Sequence, residues 1–154
     1  MNLIKLVSRP NLPDSSKLQK DFQQLESLSK AIELHSISDR TAVKIAEELS
    51  LVNIFPDNHD NLQKTIKKAQ AQILKILEKE EKIVSVHHYR KLWMVVGMSA
   101  FGLPIGVAFG MSIGNLGMLG IGLPIGMAIG IGVGSSLNNK AKLAGRQLAF
   151  EVKS

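Results

Sequence analysis

The chain has 154 residues, no cysteine and a formal net charge of +6. That length leaves room for little more than one small soluble domain and one further segment, and the missing cysteine excludes disulfides and thiolate chemistry. The charge is spread out, with fifteen Lys and Arg against twelve Asp and Glu in residues 1–91 and four against Glu151 in residues 140–154, so no nucleic-acid partner is expected.

Residues 1–13 read MNLIKLVSRPNLP. Lys5 interrupts an apolar run too short for a secretory core, and no signal peptide is read. This arm offers Leu3, Ile4, Leu6 and Val7 to a short strand, while Pro10 and Pro13 bar an early helix. Residues 14–91 are expected to form a soluble domain of about three helices. Asp14, Ser15 and Ser16 are N-cap candidates for a first helix reaching about Leu34, with Leu18, Phe22, Leu25, Leu28 and Ile32 on one face. A second helix starts near Ser38 or Asp39 and runs to about Leu51, burying Val43, Ile45, Ala46 and Leu49, before the turn signal Phe55-Pro56-Asp57-Asn58. A third begins around Asp60, with Leu62, Ile66, Ala69, Ile73 and Ile76 in alternating four- and three-residue steps that continue to Glu80, Ile83 and His87. No proline or glycine separates Asn61 from Trp93, so this third helix is expected to run unbroken into the next segment as a long connecting rod. Its charges, from Lys64 to Lys82, are read as a solvated face.

From Leu92 to Asn139 there are forty-eight consecutive residues without Asp, Glu, Lys or Arg, holding twelve of the thirteen glycines. One crossing of a bilayer takes about 20 apolar residues, so the length suits two crossings with a tight turn, about 92–114 and 118–137 within a hairpin over 92–138. The sequence nearly repeats itself, since GLPIGVAFG at Gly102–Gly110 returns as GLPIGMAIG at Gly122–Gly130. Glycine recurs every fourth residue at Gly102, Gly106, Gly110 and Gly114, and again at Gly122, Gly126, Gly130 and Gly134. Residues four apart share a helix face, and a face without side chains lets another backbone approach closely. These eight glycines are therefore read as a helix-packing zipper.

Pro104, Ala108 and Ser112 form a second small stripe on roughly the opposite side of the first span. A helix with two such faces can be packed on both, one by the other arm and one by a neighbouring subunit, which is the argument for a homo-oligomer. Alternation of small and large residues also resembles a strand. A barrel would need polar lumen positions, and a stacked fibre would tolerate Pro104 and Pro124 poorly, so both are set aside. Pro104 and Pro124 each remove one backbone hydrogen bond and are the candidate hinges.

At the entry to the first span, Tyr89, Arg90, Lys91 and Trp93 combine aromatic and basic groups suited to a headgroup layer, and Lys140 and Lys142 follow the second span. Charge at both ends and none at the turn near Asn115–Leu119 places both termini on the cytoplasmic side of an inner membrane. Residues 139–154 are expected to form a basic amphipathic tail. His87 and His88 are pH-sensor candidates, because imidazole as a class changes charge near neutral pH, though ordinary interfacial histidines are the commoner case. No catalytic signature, phosphate loop, metal set or cofactor motif is read, so an enzyme is not expected.

The repeated Gly-Leu-Pro-Ile-Gly with its GxxxG continuation, basic at both ends, resembles the small bacterial glycine-zipper membrane proteins over about Lys91 to Gly145. The resemblance does not extend to the first ninety residues. It implies an oligomerising hairpin, which in several bacterial groups is a pore-forming or membrane-disrupting module attached to a sensing domain. The expectation is thus an all-α protein in which a cytoplasmic helical domain is joined by a long helix to a transmembrane hairpin. Its expected role is a homo-oligomeric pore or channel-like effector whose soluble helices sense another protein or a small signal, the alternative being a non-conducting membrane anchor or scaffold.

Overall fold

A computed structural model of the chain describes residues 6, 7, 9, 16–55, 59–115, 117 and 119–151. Among these residues the fold is all-helical apart from one short strand pair. It divides into two compact units, residues 1–85 with 148–154, and residues 86–147.

The first unit is built on α1 (Ser16–Glu33), α2 (Asp39–Ile54) and α3 (His59–Ile76). Helix α1 buries Leu18, Phe22, Leu25, Leu28 and Ile32 as its spacing requires. The expected N-cap candidates Asp14 and Ser15 lie outside the described residues. Helix α2 starts where Ser38, extended at φ −66° and ψ 152°, accepts the Thr41 N–H on its hydroxyl at 3.4 Å. Its buried face is Thr41, Ile45, Leu49 and Val52, and Val43 is instead 58% exposed. Position 43 lies about 200° around the helix from position 41, so both cannot face one core. Phe55 closes α2 in an extended conformation, as a residue preceding proline prefers; Pro56, Asp57 and Asn58 of the turn signal lie outside the described residues.

Helix α3 contributes Leu62, Ile66, Ala69 and Ile73. The heptad then slips, because Leu77 and not Ile76 is the next fully buried side chain. Residues Leu77–Glu81 form a π-helical turn, the Lys82 N–H donates to the Leu77 carbonyl, and Lys82 itself is left-handed at φ 57°. The chain then places Ile83 in the first unit's core, buries Val84 as well, and forms β1 (Val84–Ser85). His87, left-handed at φ 61°, precedes the next helix. The expected unbroken rod is therefore corrected. Two left-handed residues without glycine cost about 1–2 kcal/mol each, and burying two β-branched side chains offsets a strain of that size.

The tail expectation changes as well. Strand β2 (Gln147–Leu148) pairs with β1, and Leu148 and Phe150 are buried in the first unit's core. Of the arm, residues 6, 7 and 9 are described and are not strand. Leu6 packs on the core, the Val7 N–H donates to Asn53 Oδ1 at 3.0 Å, and Arg9 Nη2 donates to the carbonyls of Val52, Asn53 and Phe55 at 2.8–3.1 Å. That guanidinium satisfies carbonyls which the end of α2 leaves open.

Two carboxylates fasten the π turn to α2. Glu80 accepts Lys44 Nζ at 2.6 Å, and this ammonium holds the Glu80 carboxyl below the usual glutamate value. Glu81 Oε1 accepts the Ser38 hydroxyl at 2.6 Å and the Ser38 N–H at 2.9 Å, and the hydroxyl above all lowers its pKa. A depressed folded pKa contributes stability above the ordinary glutamate value, lost as pH falls through the folded one. Acidification from pH 7 to below about 4 is expected to lower the protection of the Ser38–Thr41 amides, that is, to raise their exchange relative to the intrinsic rate at the same pH. Glu81→Gln, which keeps an acceptor and cannot titrate, should flatten that pH dependence, as exchange mass spectrometry would read.

Candidate functional site

The second unit consists of two antiparallel helical arms. The first arm is α4 (His88–Gly97), a π-helical turn at Met98–Gly102 and α5 (Leu103–Ile113); the second is α6 (Leu119–Leu143). Spanning His88–Ile113 and Leu119–Leu143, with mean hydropathy 1.8 and 1.5, both are long and apolar enough to cross a membrane.

Along α6 the buried positions are Gly122, Gly126, Gly130, Gly134, Asn138 and Ala141. A Cβ added to Gly134 would lie 2.5 Å from the Tyr89 carbonyl oxygen, and one on Gly130 would collide with the Trp93 carbonyl. Gly126 lies against Gly97 and Gly102, and Gly122 against Gly102 and Gly106. On the opposing arm a Cβ on Gly97 would reach Gly130 Cα at 2.7 Å, one on Gly102 the Gly122 oxygen at 3.0 Å, and one on Gly106 the Leu119 oxygen at 2.5 Å. Backbone meets backbone along this seam, and any larger residue would force the helices apart.

The seam explains the π turn. On the first arm the residues at the contact are Tyr89, Trp93, Gly97, Gly102 and Gly106, so that one step is five residues long while the others are four. Five residues of regular α-helix turn by about 500°, which would rotate Gly102 well off the face of Gly97. The Leu103 N–H reaches five residues back to the Met98 carbonyl, and this wider turn absorbs the extra residue. Pro104, in the first turn of α5, follows immediately, so the irregularity lies where a helical N–H is missing in any case. Pro124 sits inside α6, which stays helical through it.

Of the eight zipper candidates, Gly102, Gly106, Gly122, Gly126, Gly130 and Gly134 come to the seam, and Gly110 is buried. Gly114 does not join them. It is the left-handed cap of α5 at φ 69°, a Cβ there would meet nothing within 4 Å, and the Asn115 N–H donates to the Gly110 carbonyl as the chain turns. In that turn the Asn115 Oδ1 accepts the Gly117 N–H at 2.9 Å. Gly97 was missed because the four-residue grid starting at Gly102 steps onto Met98; its signal is a glycine five residues back.

Asn138 was missed too. It is 6% exposed, one four-residue step beyond Gly134, and its Oδ1 accepts the Tyr89 N–H at 3.1 Å. His87 gives α4 no side-chain cap, so the opposing arm supplies one. Asn138→Ala is expected to cost about 1 kcal/mol, the usual value of a helix cap, and to accelerate exchange of the Tyr89 amide over that of the α5 amides.

The remaining candidates frame this end. The His88 and Tyr89 rings meet edge to face at 5.2 Å and 81°. Arg90, Lys91, Lys140 and Lys142 are exposed, and Trp93 is half-buried. Among the described residues no group of three or more His, Asp or Glu is placed to hold a metal ion. The chemistry this arrangement offers is close helix packing and an apolar exterior. Comparison of the chain with protein-family models, with curated proteins and with solved structures finds no match.

Proposed function

We propose that the chain is a homo-oligomeric membrane protein, a pore or channel-like effector whose hairpins assemble in the bilayer while the helical unit senses a partner or small signal. What supports the reading is that the hairpin uses only one of its two small-residue faces. Ala100, Pro104, Ala108 and Ser112 on the first arm, and Pro124, Ala128, Gly132 and Ser136 on α6, remain exposed, and a Cβ on Gly132 would meet nothing within 4 Å. In a bilayer, faces of this kind associate by close contact between helices. Large apolar side chains such as Val95, Phe101, Val107, Phe109, Ile121 and Ile129 are also exposed, as a lipid-facing surface requires. On this reading both termini are cytoplasmic and the membrane is the bacterial inner one, in keeping with the resemblance to glycine-zipper hairpins. A partner or signal would meet the first unit, where Lys17, Lys20, Asp21, Gln24, Lys67 and Phe150 line an open groove of about 880 Å³.

A second reading, the non-conducting anchor or scaffold, is favoured by Ser99. Its hydroxyl donates back to the Val95 and Val96 carbonyls at 3.0 and 3.2 Å, which leaves the first arm little polarity to line an aqueous path. Two measurements separate these readings. With no native cysteine, Ala108→Cys gives a single site for disulfide formation between copies in membranes, and dye release from proteoliposomes measures conduction. Cross-linking with leak is the expected result, and Gly132→Leu should abolish both while sparing the hairpin. Cross-linking without leak would select the scaffold, and neither would sink the oligomer.

A further inference from the structure

The second unit contains no Asp or Glu, and its five Lys and Arg all fall within Arg90–Lys91 and Lys140–Arg146. The structure brings these two stretches together at one end of the hairpin. Asn138 bonds the Tyr89 amide at 3.1 Å, and a Cβ on Gly134 would lie 2.6 Å from Arg90 Cα. At about 1.5 Å of rise per residue, Arg90, Lys140 and Lys142 lie within roughly 6 Å of that level along their helices. Arg146 is kept close as well. Gly145 turns left-handed at φ 67°, and the Arg146 N–H bonds back to the Ala141 carbonyl at 2.9 Å, ending α6 instead of letting the chain run on.

Lys140 and Lys142 project about 200° apart around α6, so the cations form a collar and not a pocket. Arg90, Lys140, Lys142 and Arg146 are all exposed, and beside them Leu143 is 89% exposed. The opposite end, at Gly114–Leu119, has no charge. A collar of one sign, bordering two apolar helices and flanked by Tyr89 and Trp93, is complementary to a layer of phosphate groups above hydrocarbon.

We infer that this collar is a binding surface for acidic phospholipid headgroups, which gathers anionic lipid around the base of the hairpin. The inference rests on the membrane-spanning reading above and adds the lipid class. Zwitterionic lipid presents the same phosphate beside a compensating ammonium, so the collar should discriminate between the two by net charge. Cations near a bilayer surface attract anionic lipid strongly enough for a local enrichment of about two- to fivefold, screened by salt over about 10 Å at 0.1 M.

Trp93 is the sole tryptophan, three residues beyond Arg90, and reports the lipid beside the collar without labelling. The full chain is reconstituted in vesicles carrying equal mole fractions of phosphatidylglycerol and phosphatidylcholine, with one or the other brominated on its acyl chains. Trp93 should be quenched at least about twofold more by the brominated acidic lipid. The ratio should fall towards one in the Lys140→Gln, Lys142→Gln, Arg146→Gln triple variant and at high salt. Lys64→Gln with Lys68→Gln, which removes charge from the first unit, should leave it unchanged. Equal quenching by both lipids in the parent, or a ratio that the triple variant does not lower, would overturn the inference and leave the membrane reading standing. Absence of quenching by either lipid would overturn both.

Discussion

Gly130→Ala is expected to disrupt the hairpin, while Gly132→Ala, two residues away on the same helix, should leave it as stable as the parent or more so. At Gly130 the added methyl has nowhere to go, since the Trp93 carbonyl occupies its place and Met94 Cα stands 3.0 Å away. Both obstacles are main-chain atoms of the opposing arm, which no rotamer change can clear, so the two helices must separate. Separation also weakens the neighbouring approaches at Gly126 and Gly134. Overpacking of this kind costs about 1–3 kcal/mol and sometimes more, and leucine at the same place should prevent closure altogether. Gly132 has nothing within 4 Å, and there the helix gains the intrinsic advantage of alanine over glycine, about 1 kcal/mol. Unfolding of the hairpin in detergent, followed through Trp93 fluorescence during titration with a denaturing amphiphile, would read both changes. If the two variants unfolded alike, the seam could not be what holds the arms together.

Loss of the last buried side chains should be nearly as damaging to the first unit. Leu148 is fully buried and Phe150 is 5% exposed, both among side chains of a core otherwise built from residues 18–83. Leu148→Ala is expected to cost about 2–5 kcal/mol and Phe150→Ala about 3–5 kcal/mol, the range for large-to-small changes at closed core sites. For a unit of under a hundred residues that approaches the whole of its stability. Faster hydrogen exchange in peptides from α1 and α3, more than sixty residues away in sequence, would register the loss. A flanking tail with no place in the core would leave those peptides unaffected.

The sequence by itself determined the all-helical class, the faces of α1 and most of α3, the start of α2 near Ser38 or Asp39 and the two apolar arms. These depend on composition and on the period of a regular helix, which each segment carries locally. It also placed six glycines on the contact face, because a four-residue step keeps a residue on one side of a helix whatever the partner is. Departures from regularity were decided by the tertiary structure. Whether Gly97 or Met98 precedes Gly102 at the seam depends on a π turn that puts the first arm in step with α6, and nothing between Met98 and Gly102 demands that turn locally. Gly114 continues the four-residue pattern but caps α5, since the chain must reverse there and glycine adopts the left-handed conformation without strain. The rod expected from Asn61 to Trp93 breaks at Lys82 and His87 with no glycine or proline in sight, because burying Ile83 and Val84 outweighs two unfavourable backbone angles. Leu148 and Phe150 lie beyond a basic stretch that reads as a tail, and only the contacts they make with distant side chains show that they belong to the core.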